Sequence, residues 1–161
     1  MTPAADSEAT RSVADAAPQV LLVCTANVCR SPVAEVLWRE AAAGHRRPMP
    51  VASTGLEAEP GRSADPTFVE LMAVRGLDLQ AHRATRFRPD LARNCELILV
   101  MEPAHSKRIQ AVAPELAGRV QLLGRWTCGP IADPYRRELA AYEECLSLLE
   151  NSVRTWLNKI R

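Results

Sequence analysis

Long apolar runs are missing from this sequence. None approaches the roughly 18 residues that a membrane-spanning helix needs, so no direct membrane insertion is expected. Charge imbalance is missing too: 20 basic and 19 acidic side chains leave a net charge of +1, which offers no electrostatic footing for nucleic acid. Lysine is nearly absent, with Lys107 and Lys159 the only two among the 20 basic residues. An arginine excess suits phosphate and carboxylate recognition, but a GC-rich genome produces the same bias. The Walker pattern Gly-x4-Gly-Lys-Ser/Thr is absent, which excludes the loop of nucleotide triphosphatases. Met1 to Gln19 have neither the basic start nor the apolar stretch of a secretory signal, and residues 1–18 read as a disordered, Ala-, Ser- and Asp-rich tail. A cytoplasmic location is the expectation, with the five cysteines (24, 29, 95, 128 and 145) reduced. Their odd number and scattered spacing argue against a disulfide framework. No second close pair completes a zinc site, so no metal or other cofactor is expected.

What is present fits one domain over residues 19–161. Val20-Leu21-Leu22-Val23 reads as a buried strand. After Cys24-Thr25-Ala26-Asn27-Val28-Cys29-Arg30, Ser31-Pro32 reads as a helix start, Ser31 the N-cap and Pro32 the first helical position, with Gly44 the stop. Val51-Ala52-Ser53 is a weak strand, and Asp65-Pro66 opens a helix that Gly76 ends. Leu97 to Met101 is the strongest strand signal, Pro103 to Ala113 a helix closed by Pro114, and Val120 to Leu123 a last strand. From Leu139 to Ile160, apolar residues recur at spacings of three and four in a long amphipathic helix. Short apolar strands alternating with helices predict an α/β fold, a parallel sheet with helices on both faces. Ligands in such sheets sit at the carboxyl ends of strands, where Cys24 lies.

The Cys24-x5-Arg30 pattern is weak by itself: with five cysteines and 18 arginines, about half a match is expected by chance. Its context gives it weight. A loop running from a strand into a helix converges its N–H groups and the helix's positive end on one point, an anion site. A cysteine at its mouth is expected to be a thiolate nucleophile, Arg30 can fork two phosphoryl oxygens, and Ser31 can hydrogen-bond the sulfur or cap the helix. Cys29 reads equally as a packing residue or as a redox partner that shields Cys24.

Cys24-Thr-Ala-Asn-Val-Cys-Arg-Ser-Pro after Val-Leu-Leu-Val resembles the signature loop of low-molecular-weight protein tyrosine phosphatases. Ala64-Asp65-Pro66, Ala81-His82-Arg83-Ala84, Val100-Met101-Glu102 and Ala132-Asp133-Pro134-Tyr135 follow in the family's order. Leu122-Leu123-Gly124-Arg125-Trp126, followed by Ile131-Ala132-Asp133-Pro134-Tyr135, is similar to phosphatases of bacterial exopolysaccharide and capsule operons. The resemblance implies a doubly wound four-stranded parallel sheet and phosphotyrosine hydrolysis through a cysteinyl phosphate. A bacterial tyrosine autokinase is then the expected protein partner, and the enzyme is expected to act as a monomer.

Of two Asp-Pro pairs, Asp65 suits a helix N-cap, whereas Asp133 lies in a loop on the carboxyl-end rim, free for acid–base work; the resemblance also makes Asp133 the acid. It further implies that Asn27 holds the loop's shape in a left-handed conformation, that Ser53 and His82 brace it, and that Val28 and Tyr135 wall the substrate. Ala26 stands where the family usually has glycine, which narrows the backbone choices there. Leu56 to Gly61 lacks the aromatic that eukaryotic relatives place there. Phosphoarginine hydrolysis and arsenate reduction are the alternative chemistries on this fold. Val28 speaks against the first, since such relatives have threonine there. The lack of a suitably placed second relay cysteine speaks against the other.

Overall fold

A computed structural model of the protein describes residues 17–45, 47 and 49–160. The expected tail at 1–18 lies outside them, apart from Ala17 and Pro18. Its elements run β1 Val20–Cys24, α1 Arg30–Ala42, β2 Val51–Gly55, α2 Pro66–Val74, a one-turn α3 Pro89–Ala92, β3 Leu97–Val100 and α4 Pro103–Val112. A 3₁₀ segment Pro114–Arg119, β4 Val120–Leu122 and α5 Leu139–Lys159 complete it. The four strands form one sheet in the order β2-β1-β3-β4, every pairing parallel.

All five residues of β1 are buried, because side chains that alternate across a strand here meet helices on both faces. Val20 and Leu22 join the core beneath α1, α2 and α5, while Leu21 and Val23 join Ile98, Val100, Ile109 and Leu116 on the opposite face. Each such Val or Leu contributes roughly 1.5–3 kcal/mol, which anchors the strand that ends at Cys24. The crossover through α1 places β2 on one side of β1, and β3 lies on the other. The crevice between the carboxyl ends of β1 and β3 is thus the switch point of a doubly wound sheet.

Two sequence readings are corrected. Helix α1 starts at Arg30 with Cys29 as N-cap and no side-chain cap, so Ser31 is not the cap. Its hydroxyl is drawn inward to the sulfur of Cys24 instead, which leaves the first-turn N–H groups of α1 open toward the loop. In α5 the stripe holds from Tyr142 to Trp156, but Leu139 at its start is more than half exposed. Other local readings stand: Asp65 caps α2 by accepting from the Thr67 N–H (2.9 Å), and Gly76 takes a φ of +74° just beyond it.

Candidate active site

Cys24, 2% exposed, sits at the floor of a cleft whose walls are Ala26, Val28, Cys29, Arg30, Arg62, Asp133 and Tyr135. The Asn27 N–H donates to Cys24 Sγ (3.3 Å), and Ser31 Oγ is 2.9 Å from the same sulfur. Asn27 Nδ2 donates to Ser31 Oγ (2.8 Å) and Ser53 Oγ (3.0 Å). With its oxygen already accepting, the Ser31 hydroxyl can donate to the sulfur at 2.9 Å or to the Thr54 carbonyl at 3.4 Å, and the sulfur is the nearer.

The loop's shape is fixed from outside. Asn27 has a φ of +57°, the left-handed conformation that asparagine tolerates. Its Oδ1 accepts from the Thr85 N–H (2.9 Å), and its carbonyl accepts from His82 Nε2 (2.7 Å). That contact requires the Nε2–H tautomer of His82, and burial holds its pKa below the ordinary value. The Asp65 N–H donates to the Val28 carbonyl (2.8 Å). Beneath the loop, a Cβ on Gly55 would lie 2.7 Å from the Thr25 carbonyl oxygen and 2.8 Å from the Asn27 nitrogen, so this close approach needs glycine. Ala26 is not among the described non-glycine residues with positive φ, which are Asn27 and Arg136; its methyl carries no strain of that kind.

Arg30 is buried, and its Nη1 donates to Glu102 Oε1 (2.6 Å) and to the Ile131 carbonyl (2.8 Å). Its Nη2 lies 3.7 Å from Asp133 Oδ2. Nη2 and Nε donate to no described residue, which leaves N–H groups for two oxygens of an anion. Glu102 and His105 form a reciprocal capping box at the start of α4, with the Glu102 N–H donating to His105 Nδ1 (3.2 Å). His105 Nε2 then faces Thr25 Oγ1 (3.0 Å). Burial, then the Arg30 charge, lowers the His105 pKa, so the ring is neutral in this arrangement. Asp133 is partly exposed, its side chain at 43%, and Oδ1 accepts from the Tyr135 N–H (3.1 Å).

Asp65 is buried, and Tyr142 Oη donates to its Oδ2 (3.0 Å); that carboxylate is a structural cap away from the cleft's opening. Every expected site residue therefore falls in the cleft or the bracing around it. Five were missed: Glu102, His105, Thr25, Gly55 and Arg62. Glu102 and His105 stand at capping-box spacing but without its usual Ser/Thr and Glu/Gln, so the sequence carries no such signal for them. Arg62 carried none.

Burial, with Asp65 next in size, pushes the Cys29 thiol well up, so Cys29 is a neutral thiol. If it shields Cys24 by forming a disulfide, peroxide inactivation of the wild type should be largely reversed by dithiothreitol. Cys29→Ser should keep most activity yet inactivate irreversibly. Equal recovery of the two proteins would leave Cys29 as a packing residue. Among the described residues, no group of three or more His, Cys, Asp and Glu is arranged to hold a metal ion, and no helix is long and apolar enough to cross a membrane.

Comparison with known proteins agrees with this geometry. The family model for low molecular weight phosphotyrosine protein phosphatase matches residues 19–161. The chain is 41% identical over 142 residues to "Probable low molecular weight protein-tyrosine-phosphatase EpsP" of Ralstonia nicotianae, covering 88% of this chain and 95% of that protein. Among solved structures, the tyrosine phosphatase Wzb from Escherichia coli K30 in complex with sulphate superposes with a TM-score of 0.82 at 36% identity, over 88% of this chain and 97% of that one. The YwlE arginine phosphatase, as a C7S mutant, gives a TM-score of 0.81 at 27% identity, over 88% and 97% of the two chains.

Proposed function

The chain belongs to the low-molecular-weight phosphotyrosine protein phosphatase family, and from that premise we propose that it hydrolyses phosphotyrosine in a protein through a phosphoryl group carried on Cys24. The observation that carries the reading is the convergence of Cys24, Arg30 and Asp133 on one cleft. The Cys24 thiolate attacks phosphorus, the bond from phosphorus to the tyrosine oxygen breaks, and the Asp133 carboxyl gives that oxygen its proton. Water then attacks the cysteinyl phosphate, Asp133 takes the water's proton, and the S–P bond breaks to release inorganic phosphate and the thiolate. Arg30 grips the phosphoryl oxygens in both steps, and the Ser31 hydroxyl stabilises the departing sulfur. Asn27, Ser53 and His82 hold the loop in shape, and neither metal nor cofactor is required.

The depth of Cys24 supports an aryl phosphate. A rigid phenyl ring would carry the phosphoryl group in between Val28 and Tyr135 toward the buried sulfur, a reach that short phosphoserine lacks. Likeness to the protein-tyrosine-phosphatases EpsP and Wzb supports a phosphotyrosine protein as the substrate; our reading makes it a bacterial tyrosine autokinase of exopolysaccharide production, met in the cytoplasm by a monomeric enzyme whose domain spans residues 19–161. Likeness to an arginine phosphatase makes phosphoarginine the second reading. Arsenate reduction is disfavoured by geometry: Cys95 precedes β3 at the amino end of the sheet, its Sγ 3.4 Å from the Pro18 carbonyl, while Cys24 closes β1 at the carboxyl end. The deciding experiment compares kcat/KM for phosphotyrosine and phosphoarginine peptides of one sequence. Phosphotyrosine should lead by at least about tenfold, given that a ring lost from an apolar pocket is worth more than 1.4 kcal/mol. A lead for phosphoarginine would overturn the reading.

A further inference from the structure

This inference rests on the phosphotyrosine reading and concerns what surrounds the phosphorylated residue. Tyr135, at the rim of the Cys24 cleft, has two guanidinium groups at its ring. The central carbon of Arg62 is 5.9 Å from the ring centroid and that of Arg136 is 5.2 Å, and Arg62 Nη2 also donates to Tyr135 Oη (3.1 Å). Neither guanidinium is committed to an ion pair among the described residues, and one of the two sits on an unusual backbone. By contrast, Arg75, Arg88, Arg93, Arg108 and Arg154 are each matched by a carboxylate within ion-pair distance. Arg136 also holds a φ of +61°, a conformation that disfavours any residue with a side chain. Its N–H is fixed there by Tyr142 Oη (3.3 Å). The chain thus carries a cation against Tyr135, itself a wall of the cleft, on a backbone where glycine would sit free.

We infer that Arg62 and Arg136 form an anion-reading rim that binds a negatively charged group beside the scissile phosphotyrosine. That group is a carboxylate of a neighbouring Asp or Glu, or the phosphate of a second phosphotyrosine. A guanidinium forks either oxyanion, and one already held against Tyr135 loses less freedom on binding. The rim makes an acidic, phosphotyrosine-bearing segment the substrate class, and it leaves the chemistry at Cys24 untouched.

The test is a set of peptides that share one phosphotyrosine and differ in its neighbours: Ala, Glu, or a non-hydrolysable phosphonate analogue of phosphotyrosine. In the wild type, kcat/KM for the acidic peptides should exceed that for the Ala peptide by about five- to tenfold at low ionic strength, and the advantage should shrink with salt. The relative size of the Glu and phosphonate effects identifies which anion is read. In the double variant Arg62→Gln/Arg136→Gly the ratio should fall to near one. Glycine suits the positive φ, and the Ala peptide serves as internal reference within each protein, so any general loss of rate cancels. Equal kcat/KM for acidic and Ala peptides in the wild type overturns the rim while leaving the phosphotyrosine reading intact, and so does a ratio that survives the double substitution. Failure to turn over any phosphotyrosine peptide, with p-nitrophenyl phosphate still hydrolysed, overturns the phosphotyrosine reading and the rim with it.

Discussion

Replacing Cys24 by serine should lower turnover of p-nitrophenyl phosphate by roughly 10⁴-fold or more while leaving the affinity for inorganic phosphate nearly unchanged. An alcohol needs a base to become a nucleophile, and none is at hand. The groups that touch Cys24 Sγ are the Asn27 N–H and the Ser31 hydroxyl, the first a donor only and the second already accepting from Asn27 Nδ2. Both are placed to donate to sulfur, and neither is placed to take a proton from an alcohol. Affinity for phosphate should survive because Arg30 and the open end of α1 do not depend on the sulfur. Steady-state assay and calorimetric titration with phosphate measure the two quantities separately. Persistent turnover in Cys24→Ser would remove the cysteinyl-phosphate mechanism.

Asp133→Asn should slow phosphotyrosine hydrolysis by about 10²–10⁴-fold, the usual worth of a general acid. A phenolate as basic as that of tyrosine, with a pKa of about 10, leaves poorly without a proton. The leaving group of p-nitrophenyl phosphate is far less basic, so its phosphorylation step should suffer less. Breakdown of the phosphoenzyme needs the same carboxylate for every substrate. Rapid quench of Asp133→Asn with p-nitrophenyl phosphate should therefore trap phosphate on the protein. Asp65→Asn is the matched control. Asparagine still caps the Thr67 N–H, but it gives up an acceptor for the Tyr142 hydroxyl. A cost of about 1 kcal/mol there lowers Tm by about 2–4 °C with little change in kcat. Were Asp65→Asn the crippled enzyme and Asp133→Asn normal, the acid would have to be moved to the buried loop.

The strands, the long helix and the cradle were legible in the sequence because each is written locally. Val20 to Val23 is apolar throughout, α5 repeats at helical spacing, and the nucleophile and Arg30 lie within one short loop. The cap on α1 lies two residues before the one read from the sequence, at Cys29 rather than Ser31, because a Ser-Pro pair fixes a helix start only loosely and the Ser31 hydroxyl has a partner outside the helix, the sulfur of Cys24. Gly55 escaped notice for a related reason. A glycine at a strand end looks like punctuation until another backbone is seen lying against it. Glu102 reaches Arg30 across 72 positions of sequence, and Arg62 meets Tyr135 across 73. No periodicity or cap signal encodes such meetings, which the sheet's strand order alone brings about.

The Ile131 carbonyl that holds Arg30 belongs to the loop that carries Asp133, and the Ile131 N–H is itself bonded to the Met101 carbonyl (2.9 Å). In the proposed mechanism, phosphate grip and proton delivery therefore share one short stretch of backbone. Displacing this stretch from the end of β3 would remove one of the two acceptors of the guanidinium, leaving Glu102, and would move the acid with it.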